Sequence, residues 1–90
     1  MSKVNFPSNE KLAALAAEKS YISTSDIQAL FNSSSQYARK RKHEVEQKMA
    51  ENGVRPAVHL HVPLDWAYRT WGIDMKLVEK ALILKQKLNV

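Results

Sequence analysis

The sequence predicts a mainly α-helical single domain built around a short helix, a tight turn and a longer basic helix. Three observations predict it. Apolar residues recur three or four apart over most of the chain, polar caps recur where that pattern restarts, and only one short segment alternates apolar and polar residues. At 90 residues the chain supports one core and not two, so residues 1–90 are read as one domain.

Residues 1–5 read as a loose end, and Pro7-Ser8 as the start of a helix reaching about Lys19. Leu12, Leu15 and Ala16 give that helix one narrow apolar stripe. Ser23 to Asp26 opens a second helix, with Ser25 and Gln28 at the spacing of a capping box and Ile27, Leu30 and Phe31 facing inward. Asn32-Ser33-Ser34 breaks the pattern, and Ser33 with Gln36 repeats the capping-box spacing, so a third helix is expected from Ser35 to Asn52. Gly53 stands where a left-handed cap is commonly needed.

Val58, Leu60 and Val62 alternate with His59 and His61, the period of a half-buried strand ended by Pro63. Its partner is sought near Val54 or at Tyr21 to Ser23. Pro63 suits the first turn of a short helix to Trp71, ended by Gly72, with Trp66 and Trp71 closing the core. Asp74 caps a last helix over residues 74–88, in which Met75, Val78 and Leu82 form one apolar seam and Leu77, Ala81, Leu84 and Leu88 a second. The second seam suggests a dimerisation element, and a central core helix is the competing reading.

Fourteen Lys and Arg against nine Asp and Glu give a net charge of +5, which favours a polyanionic partner. No apolar run approaches the roughly 20 residues of a membrane span and no signal pattern opens the chain, so a cytoplasmic protein is expected. The absence of cysteine removes disulfides, thiolate zinc sites and cysteine nucleophiles. There is no nucleophile elbow, phosphate-cradling glycine loop or metalloprotease motif, so no enzyme, catalytic residue or cofactor is expected. His59 and His61, with His43 as a third ligand, have the chemistry of a metal site, but polar alternation on a strand explains them equally, and no metal residue is assigned.

On a wheel of about 100° per residue, Ala38, Val45 and Met49 lie within about 40° of one another and mark the buried stripe of the third helix. Gln36, Arg39, Lys40, His43 and Gln47 fall about 100° to 200° from Ala38. Arg and Lys pair with guanine and Gln with adenine in the major groove, so this face has the chemistry of direct readout. Arg41 and Lys42 flank the stripe and are assigned to phosphates. The run Arg39 to Lys42 precedes the acids Glu44, Glu46 and Glu51, which leaves the first turns uncompensated.

Asp26-Ile27-x-x-Leu30-Phe31-x-x-Ser34-x-x-x-Ala38-Arg39-Lys40 resembles the helix-turn-helix of bacterial winged-helix regulators. Glu46-x-x-Met49-x-x-x-Gly53 and Val62-Pro63 are similar to small DNA-binding proteins of phages and mobile elements, including excisionase-like ones. The resemblance implies a winged-helix-like fold with a short β wing from Val54 to Val62 beside the minor groove, the third helix in the major groove, and Arg55 on the backbone. The residues expected to touch DNA are therefore Ser34, Ser35, Gln36, Arg39, Lys40, Arg41, Lys42, His43, Gln47 and Arg55, with Arg69 as a further phosphate contact. The expected role is sequence-specific binding of double-stranded DNA by a transcriptional regulator or architectural protein, with a homodimer through the last helix. The competing reading is an adaptor whose basic helix meets an acidic protein. RNA binding is less favoured, since Tyr37 alone is a thin stacking platform.

Overall fold

Ser8 accepts a hydrogen bond from the Lys11 amide at 3.2 Å and starts α1 (Asn9–Glu18), as its sequence position predicts. In the computed structural model, residues 6–88 are described, and the side chains of Lys85, Gln86 and Leu88 lie outside that description. The expectation for residues 1–5 lies outside it too. The order that follows is β1 (Tyr21–Ile22), α2 (Thr24–Phe31), α3 (Ser35–Glu51), β2 (Val62–Pro63), α4 (Leu64–Thr70) and α5 (Met75–Leu88). Among the described residues, five helices and one small antiparallel sheet make the fold mainly α.

The capping box of α2 is made by Ser23 and Asp26, not by Ser25 and Gln28. Ser23 Oγ accepts the Asp26 amide at 3.3 Å, and the Asp26 carboxylate accepts the Ser23 amide at 2.9 Å. Both pairs stand three apart, and spacing alone does not choose between them. Lys19 decides, since its ammonium lies 2.6 Å from Asp26 and ties the end of α1 to the start of α2. Burial raises the Asp26 carboxyl, but the Lys19 and Ser23 hydrogen bonds outweigh it and hold the group below its ordinary value. Lys11 also reaches the far end of α2, donating to the carbonyls of Ala29 and Leu30 at 3.3 and 3.4 Å, where a cation meets the negative helix end.

The turn from α2 to α3 is closed by Asn32 in the left-handed region, φ 49° and ψ 53°. The Ser33 amide donates to the Gln28 carbonyl and the Asn32 amide to that of Ala29, the paired bonds of a Schellman cap. Asparagine is among the few residues that tolerate this conformation, so it fills the place glycine takes in many such turns. The cap of α3 is Ser34, whose Oγ accepts the Tyr37 amide at 3.3 Å, one residue later than the Ser33–Gln36 spacing suggests. The helix then runs 17 residues, about 25 Å, to a second Schellman cap on Gly53.

The alternating segment is not a strand from Val58 to Val62. Val58 and Leu60 are exposed, and Leu60 has φ 62°, which breaks the extended period of two. Only Val62 and Pro63 pair, with Ile22 and Tyr21 respectively, so the partner lies before α2 and not near Val54. Among the described residues no second strand follows α3, and residues 54–61 form a loop where a hairpin wing is expected.

One core joins these elements. Ile22, Ile27, Ala38, Val45, Met49, Val62, Ala67 and Tyr68 are fully buried, and Ala38, Val45 and Met49 are the stripe the helical wheel marks. Trp71 joins them, with its ring centroid 5.2 Å from that of Phe31, whereas Trp66 stays half-buried at the rim. α5 packs along α1 through Val78, with Met75, Ala81 and Leu82 partly covered, while Leu77, Ile83 and Leu84 remain exposed. It is therefore a peripheral helix and not a central one.

Candidate nucleic-acid interface

The buried stripe of α3 fixes which of its side chains turn outward. With Ala38, Val45 and Met49 sealed against α2 and α4, Gln36, Arg39, Lys40, His43 and Gln47 are all exposed along one face. Among the described residues, Arg39 and Lys40 take part in no ion pair. No Asp or Glu occurs from Ile27 to His43, so Arg39 and Lys40 present uncompensated positive charge in the first turns of α3. Ser34 and Ser35 are exposed at its N-terminus, where unpaired amides and the helix dipole favour an anion.

Arg41 and Lys42 are held differently. The Arg41 guanidinium lies 5.3 to 5.4 Å from the ring centres of Phe6, Phe31 and Tyr37. Its Nε donates to the Tyr37 hydroxyl at 2.9 Å, and Nη1 stands 3.5 Å from Glu44. The rings themselves meet edge to face, with Phe31 5.7 Å from both Phe6 and Tyr37. Arg41 thus clamps the N-terminal segment to α2 and α3. Lys42 lays its stem along the core margin, its side chain only 13% exposed, and meets Glu46 at 3.5 Å. Glu46 also lies 3.9 Å from His43 and bounds the exposed face on that side.

Arg55 is exposed in the loop after α3, apart from the helical face. In the same loop, His61 Nδ1 lies 2.7 Å from the His59 carbonyl oxygen. Among the described residues no group of three metal-ligating side chains comes together.

Sequence reasoning did not find a cationic groove of about 310 Å³ between α3 and α4, lined by Lys48, Asn52, Trp66, Arg69 and Thr70. The Arg69 guanidinium stacks 5.5 Å over Trp66, a pairing that the three-residue spacing on one helix makes legible. Its approach to Lys48 depends on how two helices cross, and no local pattern carries that. The aromatic cage of Arg41 was missed for the same reason, since Phe6 comes from outside the helix pair.

No helix among the described residues is long and apolar enough to cross a membrane. Compared with protein families, curated proteins and solved structures, the chain matches none of them.

Proposed function

We propose that this protein binds double-stranded DNA at specific sites through the exposed face of α3 and acts by binding, not by catalysis. The observation that carries the proposal is the convergence of Gln36, Arg39, Lys40, His43 and Gln47 on one exposed face, with no acid in the first turns. A helix of this width fits the major groove, and these side chains include the bidentate partners of guanine and adenine. Ser34 and Ser35 take a phosphate at the helix N-terminus, and Arg55, Lys48 and Arg69 reach phosphates beside it. Arg41 and Lys42 retain enough exposure for a phosphate contact, but their first task is to hold the helix in place. The docking is winged-helix-like, with the loop after α3 in the position of the wing. The setting is cytoplasmic, in regulation or DNA architecture of the kind found on phages and mobile elements.

The test is selection from random duplex DNA at about 150 mM salt, where nonspecific electrostatic binding fades. An enriched motif is the expected result. Lys40→Ala should then change the preferred bases and cost about 1–3 kcal/mol at one position of the site. Arg41→Ala should lower thermal stability and weaken all sequences alike. A folded protein that enriches nothing overturns the proposal.

Two copies are proposed to pair through α5, since Leu77 and Leu84 stand seven residues apart and exposed, with Ala81 between them. Two recognition helices one duplex turn apart then read a palindromic site. The same exposed stripe favours the second reading, an adaptor that docks α5 on another protein and presents the basic helix to an acidic partner.

A further inference from the structure

Arg69 is exposed and lacks a counter-charge, although an acid stands where it could supply one. Asp65 precedes it by four residues, the spacing of a helical ion pair, but the Asp65 carboxylate accepts the Trp66 amide at 2.9 Å instead. Among the described residues Arg69 joins no ion pair, and its guanidinium stacks 5.5 Å over the Trp66 ring. Lys48, on the facing helix, meets Glu51 only at 4.0 Å and keeps its side chain 58% exposed. Two weakly compensated cations and an indole ring thus line one groove between α3 and α4, and its charge favours an anion.

Asn52 and Thr70, which also line the groove, narrow the kind of anion. Asn52 Nδ2 donates to the Lys48 carbonyl at 2.8 Å and Thr70 Oγ1 to the Trp66 carbonyl at 2.7 Å, so both side chains keep an oxygen that accepts. A bare phosphate or carboxylate uses the cations and leaves the ring and these acceptors idle. A nucleotide uses all of them, with its phosphate on Lys48 and Arg69, its base stacked on the Trp66–Arg69 pair and its base-edge N–H groups on the two acceptors. The volume of about 310 Å³ lies at the low end of small-ligand sites and leaves room for one such unit.

The duplex proposed for α3 does not fill this groove. On the helical wheel Glu44 and Glu51 stand about 40° and 60° from Lys48 on the side toward Lys40 and Gln47, so two acids separate the groove from the exposed face. A duplex docked on that face offers the groove a backbone phosphate at most, because its bases stay paired and stacked. We infer that the groove between α3 and α4 is a second site that binds a single unpaired nucleotide, free or within an unpaired strand. This goes beyond the duplex reading and does not depend on it.

The test follows the two indole N–H signals of the full chain by NMR. Trp66→Phe, which keeps a ring, assigns them. The Trp71 N–H, which donates to the Arg41 carbonyl at 3.4 Å from a buried ring, is the internal reference. Thymidine monophosphate and a thymidine single strand of about eight nucleotides are expected to move the Trp66 signal and leave that of Trp71 in place. Equal affinities identify the free nucleotide as the ligand, and tighter binding of the strand identifies an unpaired stretch of nucleic acid. Arg69→Gln and Lys48→Gln, both at exposed positions, should each weaken binding about tenfold. Arg69→Lys should not restore it, because an ammonium lacks the planar face that stacks between rings. Inorganic phosphate or a glutamate peptide that moves the Trp66 signal as far overturns the nucleotide, and a signal that moves with none of these ligands overturns the site. The readout is local to Trp66, so the outcome is separate from that of duplex selection by α3.

Discussion

Tyr68 is the fully buried side chain on which α1 and α4 meet. Its hydroxyl donates to the Leu12 carbonyl at 2.6 Å, and burial pushes the phenol well above its ordinary 10. Raised in the folded state, the group contributes stability that is whole below about pH 10 and is lost as pH climbs beyond it. Tyr68→Phe should cost about 1 kcal/mol at pH 8, because the Leu12 carbonyl keeps its own helical partner and only the extra bond is lost. The variant should in turn lose less stability than the wild type between pH 9 and 11. Urea unfolding across that range checks both points, and parallel pH curves would refute the assignment. Arg41 has the corresponding role at the other side of the core, where three rings and one hydroxyl surround a single guanidinium.

At the scale of elements, helix ends determine where the basic face points. α2, α3 and α4 each end on a left-handed residue, Asn32, Gly53 and Gly72, with the paired amide bonds of a Schellman cap. Gly53 matters most for the proposed site because it sends the chain from α3 into the loop that carries Arg55. A Cβ at Gly53 meets nothing within 4 Å, so substitution there costs backbone strain alone. Gly53→Ala should destabilise by about 1 kcal/mol, and Gly53→Asn by less, since asparagine already serves that conformation at Asn32. Denaturant midpoints of the two variants give the comparison, and equal losses would show that the strain argument fails.

On the scale of the whole molecule, the distribution of charge and apolar surface separates two tasks. Residues 35–61 and α5 each carry a net charge of +3, and α5 adds exposed Leu77, Ile83 and Leu84 beside Lys76, Lys80 and Lys87. If two copies join along α5, those lysines approach one another, and salt that screens them should strengthen the dimer. The same salt should weaken the proposed DNA binding by removing the advantage of counterion release. Light scattering at tens of micromolar is therefore expected to give a dimer at about 0.5 M salt and a weaker one at about 0.1 M. Leu84→Asp should return a folded monomer. A wild-type monomer at every salt would remove the proposed dimer.

The sequence by itself determined the helix pair, the turn between them and the stripe of Ala38, Val45 and Met49, because each is set by residues within a few positions of one another. It also determined which face of α3 is polar, since a buried stripe leaves only one opposite side. Tertiary structure decided the rest. Lys19 chose Asp26 as the capping partner, and Tyr21–Ile22 took only Val62, the last residue of a five-residue alternation, together with the following Pro63 as its strand partner. The cage from Phe6, Phe31 and Tyr37 drew Arg41 away from solvent, although its neighbours Arg39 and Lys40 carry the same charge and remain free among the described residues. These outcomes depend on contacts between residues distant in the chain, whose energies are comparable to the local preferences they override and leave no periodic trace in the sequence.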